Sequence, residues 1–128
     1  MYRLIAFLFL ILALSCCTRN NTVKDVASSS ELNGYWLLKK ANRNGTPTTT
    51  LGGLFMQVTD SVIISNFGGD TMASGYLFDA KNRKLTHFIR DTFEYDIDVL
   101  NDSQLNMKSV INNLPFEFEF RKFTNDSL

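Results

Sequence analysis

Three side chains of this 128-residue sequence could carry reactive chemistry: the only two cysteines, Cys16 and Cys17, and the only histidine, His87. A disulfide between adjacent cysteines would close a strained ring, and a zinc site needs about four ligands. An intermolecular disulfide would require a partner. The spacing of the sequence ties His87 to no nucleophile. We therefore expect no catalytic residues, no metal site and no cofactor, and we do not expect an enzyme.

The apolar run before the cysteines is typical of a signal peptide. Arg3 precedes the apolar residues 4–14, a run shorter than the roughly 20 residues of a membrane-spanning helix but suited to the central region of a signal. The small Ser15 followed by Cys16 resembles the lipobox of bacterial lipoproteins. That resemblance implies cleavage after Ser15 and acyl chains on Cys16, with Cys17 as the alternative lipidation site. An ordinary secretory signal is the other interpretation, but its A-x-A-like ending is missing.

The lipoprotein interpretation divides the chain into three parts. Residues 1–15 are the signal peptide, residues 16–31 are the lipidated cysteine with a polar, serine-rich flexible tether, and residues 32–128 are one domain. Several acyl chains on one residue hold far more firmly than the marginal anchor of a single chain. Some lipoproteins carry an acidic cluster beside the lipidated cysteine that directs them to the cell surface, and this sequence has none. We therefore expect a lipid-anchored protein of the bacterial cell envelope, in the outer membrane and facing the periplasm.

The rest of the chain has the alternation of apolar and polar residues that predicts β-strands. This pattern runs from about residue 32 to residue 123, and turn residues divide it into eight strands with hairpin-length links. Residues 42–53 are rich in Thr, Gly and Pro and are interpreted as a mobile loop. No helix is expected after the signal peptide. The predicted strands are, in chain order, YWLLKKA, LFMQVT, VIISNF, SGYLFDA, KLTHFIR, TFEYDIDVL, QLNMKSVI and PFEFEFRKF.

Eight consecutive strands leave two exposed edges unless the sheet closes on itself. The predicted fold class is therefore all-β, a small eight-stranded antiparallel up-and-down barrel. An outer-membrane barrel would place the acidic residues of the strands in a narrow lumen, so we expect the aromatic face inside and the acidic face in water. Lys and Arg (13) balance Asp and Glu (13) with no basic patch, which argues against nucleic-acid binding. We expect a monomer.

The alternation also predicts which strands are neighbours. In a consecutive meander, Lys108 on the seventh strand points outward. It should lie beside Asp96 or Asp98 of the sixth strand and beside Glu117 or Glu119 of the eighth. Val99 is expected to share the inward face of the sixth strand with Tyr95 and Ile97.

A G-x-W motif, Gly34-Tyr35-Trp36, stands at the entry to the first strand and resembles that of lipocalins. The segments YDIDVLNDSQLNMKS and FEFEFRKF are similar to the last hairpins of bacterial lipocalin-like lipoproteins. The resemblance implies that Trp36 closes one end of the barrel and that Arg121 or Lys122 packs over it. It also implies binding of a small hydrophobic molecule. The alternative is a structural or protein-interaction module of the envelope, with the barrel filled by its own side chains.

For a binding barrel we expect Trp36, Tyr76, Phe78, His87 and Tyr95 to be the ligand-binding residues. His87, Tyr76 and Tyr95 would supply the polar groups that orient a mostly apolar ligand. The large aromatic side chains should gather at the Trp36 end and leave a cavity that opens below residues 42–53. The full set of side chains expected inside is Trp36, Leu38, Met56, Val58, Tyr76, Phe78, Leu85, His87, Tyr95, Ile97, Met107, Phe118 and Phe120.

Overall fold

The computed structural model describes residues 29–124. The expected signal peptide, both candidate lipidation sites and residues 16–28 of the tether lie outside the described residues. The elements are a one-turn helix α1 (Ser29–Leu32) and nine strands: β1 (Gly34–Arg43), β2 (Thr46–Thr48), β3 (Phe55–Val58), β4 (Val62–Ser65), β5 (Met72–Asp79), β6 (Lys84–Ile89), β7 (Asp91–Leu100), β8 (Gln104–Ile111) and β9 (Leu114–Lys122). Within the described range, no helix has the length and apolar character needed to cross a membrane.

The sheet closes into an eight-stranded antiparallel barrel, which confirms the predicted fold class. Strands β3 to β9 pair consecutively, and β1 pairs with both β3 and β9. Strand β2 does not add a ninth position to the ring. It pairs with Ala41–Arg43, whereas β3 pairs with Gly34–Leu37 on the same side of β1. Each of the eight strands of the ring is therefore paired on both sides over at least part of its length.

Two elements differ from the expectation. The last residues of the expected tether belong to α1, so a short helix precedes the first strand, contrary to the expectation. Part of the expected mobile loop, residues 42–53, is strand: β1 continues to Arg43 and turns back into β2. The turn is Asn44-Gly45, both with positive φ (51° and 77°), the pair that two-residue hairpins favour. The Asn-Gly dipeptide is a hairpin signal, but the Thr, Gly and Pro content of residues 42–53 suggests a loop.

The barrel has a closed base at the end where β1 begins and β9 ends, called here the Trp36 end. Trp36 is fully buried, and its indole Nε1 donates to the carbonyl oxygen of Leu32 at 2.8 Å. The Nζ of Lys122 lies 5.2 Å from the Trp36 ring centroid. The expected basic residue over the tryptophan is therefore Lys122. The opposite end, where the β4–β5 and β8–β9 links lie, is called the Phe67 end.

The expected inward face is confirmed. Ten of the thirteen side chains are buried, and Leu38, Tyr76 and Phe78 are half-buried against the core. Val99 was also expected on the inward face, and that prediction is wrong. A bulge between Ile97 and Val99 changes the alternation, so Val99 pairs with Asn106 and Leu100 takes the inward place.

The neighbours of Lys108 are also as predicted. Lys108 is exposed and pairs in register with Asp96 on β7 and Glu117 on β9. Its Nζ lies 3.2 Å from Asp98 Oδ2. The order and register of the last three strands therefore follow from the alternation of the sequence.

Candidate functional site

An aromatic box fills the Phe67 end of the barrel. Phe67 belongs to the β4–β5 link, and its ring points into the barrel between rings from the wall. Ring centroids lie 5.8 Å away at Phe93, 6.1 Å away at Tyr95 and 5.7 Å away at Phe118. Such spacings suit tilted and edge-to-face aromatic contacts. Phe116 extends the box by stacking on Phe118 at 5.9 Å. A residue from a link, and not from a strand, thus closes this end.

The link that carries Phe67 is anchored at Asn66, and its turn is closed by the Gly69 amide, which donates to the Asn66 carbonyl at 3.1 Å. Asn66 anchors it: its Nδ2 donates to the Gly53 carbonyl at 3.0 Å, and its Oδ1 accepts from the Phe55 amide at 3.0 Å. Phe67 follows this anchor directly and is half-buried. The next two residues, Gly68 and Gly69, are exposed, and Gly69 has a φ of +101°. Glycines permit backbone conformations closed to other residues, so the chain can turn here while Asn66 stays in place.

Polar side chains line one part of the interior. Ser65, Ser74, His87 and Tyr95 lie on the inward faces of β4, β5, β6 and β7, which are four consecutive strands. His87 Nε2 and Ser74 Oγ are 2.5 Å apart, and Ser74 Oγ donates to the Ile63 carbonyl at 3.4 Å. Five buried side-chain polar atoms have no hydrogen-bond partner among the described residues. Three of them belong to this group, Ser65 Oγ, His87 Nδ1 and Tyr95 Oη, and the other two are Asn33 Oδ1 and Asn42 Oδ1 on other parts of the barrel. Such groups are uncommon in folded proteins and each calls for an explanation.

These groups lie beside the aromatic box. His87 is the cross-strand partner of Phe93, and Tyr95 is the partner of Leu85. Directly opposite side chains in a sheet have Cβ atoms about 4.5–5.5 Å apart, so His87 adjoins the ring of Phe93. Burial lowers the pKa of His87 to about 4, and burial also raises the pKa of Tyr95 well above its usual value. Both side chains are therefore neutral at pH 7.

The predicted ligand-binding residues separate into two groups. His87 and Tyr95 stand at the box. Trp36 stands at the closed base, and Phe78 lies one residue before the end of β5 that points to the same end. Tyr76 is half-buried, and its hydroxyl donates to the Thr59 carbonyl at 2.5 Å. Trp36 and Tyr76 thus use their polar groups to hold the Trp36 end together.

The expected cavity geometry is wrong. The contacting rings gather at the Phe67 end, where the cavity was expected, and Phe67 occupies that space. Two concavities of the described residues are lined mainly by outward side chains of the barrel wall. The larger, about 950 Å³, is an open surface along β7, β8 and β9 that includes Glu94, Lys108 and Val110.

Sequence reasoning placed the wall rings of the box inside the barrel but missed Phe67 and the two serines beside the box. Phe67 was counted as the end of a strand, although the Gly-Gly that follows marks it as part of a turn. Ser65 and Ser74 are polar residues at inward positions of β4 and β5, and small hydroxyls are easily taken for outward ones. Within the described range, no group of three or more His, Cys, Asp or Glu side chains is placed to hold a metal ion.

Comparison with known proteins gives one structural likeness. No family model and no curated protein matches the sequence. A crystal structure of a lipocalin-like protein from Bacteroides uniformis matches with a TM-score of 0.54 and 14% sequence identity. The alignment covers 73% of this chain and 99% of that one. At this identity the likeness concerns the fold, and the described residues form a lipocalin-like barrel.

Proposed function

We propose that this protein is a lipid-anchored lipocalin-like protein of the bacterial cell envelope that binds a small, mostly apolar molecule at the Phe67 end of its barrel. The observation that carries the proposal is the set of three buried, unpartnered polar atoms beside a box of aromatic rings. A few polar groups among mostly apolar walls are the usual composition of a small-molecule site.

The energetics favour an occupant for these polar atoms. Leaving a buried donor or acceptor unpaired costs about 1–3 kcal/mol. A ligand that hydrogen-bonds to Tyr95, His87 or Ser65 would recover part of that cost. In the closed form Phe67 occupies the box, so binding requires Phe67 to move out on its link. Its half-buried position and the glycines after it make this the part of the barrel wall that can open.

The envelope location rests on the sequence. The apolar run and the junction Ser15-Cys16 resemble a lipoprotein signal, and they imply an acyl anchor on Cys16, or on Cys17 as the alternative. The membrane is then the partner of the acyl chains, and the barrel faces the periplasm from the outer membrane. We propose binding and no catalysis, with the barrel acting as a monomer.

A second candidate function is a structural or interaction module with a permanently filled barrel. One observation favours it: the outward side chains in the middle of β4, β5 and β6 carry no charge. Leu77 is 64% exposed and Phe88 is 43% exposed. Exposed apolar patches mark interaction sites when they are large. The members of this face are Val62, Ile64, Ala73, Gly75, Leu77, Thr86 and Phe88.

The two candidates differ in what the barrel retains. Mass spectrometry of small molecules extracted from the full chain, purified in detergent, tests them directly. We expect a retained compound that is absent from the detergent blank, with the amount altered by Phe67→Ala. Phe55→Ala is the matched control, because Phe55 stacks on Tyr35 on the outside of the barrel at 5.4 Å. If neither the wild-type protein nor Phe67→Ala retains a small molecule, the filled barrel is favoured.

A further inference from the structure

We infer that the ligand is a neutral molecule with one ring and an O–H or N–H group, and that this group donates to His87 Nδ1 when the ring replaces Phe67. The inference rests on the proposed function and specifies the ligand class. Three features of the site lead to it: the size of the box, the charge of the interior and the direction of a hydrogen-bond chain.

The size of the box follows from its present occupant. The space among Phe93, Tyr95 and Phe118 holds one phenyl ring, that of Phe67. A cavity of about 150 Å³ with apolar walls is sufficient for benzene. A single ring therefore fits without movement of the strands, whereas a fused or elongated molecule would require the wall itself to shift.

The charge of the interior argues against an anion. Among residues 31–124 the buried polar or charged side chains are Ser65, His87 and Ser109, joined by the hydroxyl of the buried Tyr95, and none of them is a lysine or arginine. A carboxylate brought next to a neutral His87 would be a buried charge without a partner, which is costly. Arg43 is a cation at this end; it is exposed at the rim, with its guanidinium 6.0 Å from the Phe116 centroid. An anion could reach Arg43 only by pointing out of the box.

The hydrogen-bond chain requires a donor on the ligand. We assign the one hydroxyl proton of Ser74 to the Ile63 carbonyl, which lies 3.4 Å from Oγ. With this assignment Ser74 Oγ accepts from His87 Nε2–H across the 2.5 Å contact, whose direction is set by the tautomer of the ring. A neutral imidazole has one proton on its two nitrogens, so Nδ1 carries a lone pair. This unpartnered acceptor needs an O–H or N–H, while Tyr95 Oη and Ser65 Oγ can donate or accept.

The tautomer can be measured without any ligand. His87 is the only histidine, so ¹⁵N-histidine labelling gives NMR signals from one imidazole. We expect the full chain in detergent at pH 7 to show a protonated Nε2 and an unprotonated Nδ1. Addition of p-cresol should move the Nδ1 signal towards that of a hydrogen-bonded acceptor. A protonated Nδ1 in the free protein would overturn the inference.

Binding of three one-ring probes tests the ligand class. Toluene lacks a donor, p-cresol adds a hydroxyl, and benzoate carries a negative charge. Because one hydrogen bond contributes roughly 0.5–1.5 kcal/mol, we expect p-cresol to bind about three- to tenfold more tightly than toluene. Benzoate should bind more weakly than either. His87→Leu should abolish the preference for p-cresol, and His87→Gln, whose side-chain carbonyl accepts, should restore part of it.

Each result separates this inference from the proposed function. If toluene binds as well as p-cresol, the barrel binds ligands but the role of His87 is wrong. If benzoate binds best and Arg43→Gln removes that binding, recognition lies at the rim and the inference is overturned. If no probe binds to the wild-type protein or to Phe67→Ala, both fail. Phe67→Ala keeps the test valid if His87→Leu does not fold, because it leaves His87 intact.

Discussion

Lys122 lies across Gly34 and over the indole ring of Trp36, so the two ends of the barrel sequence meet at one point. Its Nζ is 5.2 Å from the ring centroid, a distance suited to a cation–π contact. A Cβ on Gly34 would collide with the aliphatic chain of Lys122. The G-x-W motif therefore has a physical basis in this chain: the glycine leaves room for the lysine that covers the tryptophan.

Gly34→Ala should destabilise the protein by about 2–3 kcal/mol in denaturant unfolding, mainly through backbone strain, because the end of the Lys122 side chain can move away from the added Cβ. The φ of Gly34 is +144°, which side chains rarely adopt. Gly45→Ala is the matched control: Gly45 also has a positive φ, but a Cβ there meets nothing within 4 Å. It should cost only about 1 kcal/mol. Equal losses in the two variants would contradict the greater backbone strain at Gly34.

The sequence predicted the barrel because alternation and turn residues are local signals. Strands β6 to β9 follow this alternation closely, and each of their observed bounds lies within one residue of the predicted one. The bulge before Val99 was not predictable, because it shifts the alternation without any glycine or proline to mark it. Strand β2 was missed because its Thr and Pro residues suggested a loop more strongly than Asn44-Gly45 suggested a hairpin.

The candidate site was predicted only in part, because some of its residues lie on strands and Phe67 lies on a link between strands. His87 and Tyr95 lie on strands, where alternation assigns them to the interior. Phe67 lies on a link, where no periodicity says whether a side chain turns inward. Ser74 became recognisable only through its contact with His87, which joins positions thirteen residues apart.

Stability should fall as the pH is lowered through the range in which unfolded histidine becomes protonated. Burial lowers the pKa of His87 from 6.5 to about 4, so the unfolded chain binds a proton more readily than the folded one between these values. The stabilisation from neutral burial is complete above pH 6.5 and is lost towards pH 4. We expect a loss of about 2 kcal/mol in the free energy of unfolding between pH 7 and pH 5.

The variant His87→Gln isolates this effect, because it keeps a polar side chain and removes the titration. Its free energy of unfolding should change little between pH 7 and pH 5. Asp79 does not interfere: a backbone hydrogen bond from Asn82 lowers the pKa of Asp79 from 3.8, so it titrates below this range. The same slope in wild type and variant would show that another group is responsible.

The pair between Lys108 and Asp98 should contribute little to stability and should be sensitive to salt. Both side chains are about half exposed, and exposed pairs contribute roughly 0.2–1 kcal/mol. A double-mutant cycle with Lys108→Ala and Asp98→Ala should give a coupling energy in that range at low salt. At about 1 M salt the coupling should be close to zero, because screening extends over only about 3 Å. A coupling that persists would mean that the pair is less hydrated than its exposure indicates.

Cys16→Ser should leave an unprocessed precursor without acyl chains in a bacterial host that makes lipoproteins. The reason is chemical, since serine lacks the thiol that carries the acyl chains. The mass of the product and its partition into detergent measure the outcome. Cys17→Ser is the matched control and should be processed normally. The opposite pattern would assign the anchor to Cys17, and normal processing of both variants would rule out the lipoprotein interpretation.

The last prediction compares Phe67 with a residue of the barrel wall. If Phe67 is a mobile occupant of the box, its removal should cost less than the removal of a fixed ring. Phe118 is 2% exposed on β9 and contacts Phe67, Tyr95, Phe116 and Phe120, so Phe118→Ala should cost about 3–5 kcal/mol. Phe67→Ala should cost about 1–2 kcal/mol, because the ring is half-buried and its link can relax into the space it leaves. Denaturant unfolding of the two variants measures both values. If Phe67→Ala lowers the free energy of unfolding as much as Phe118→Ala does, moving Phe67 out of the box costs more free energy than the binding of a weak ligand supplies. The filled barrel would then be the better interpretation of the structure.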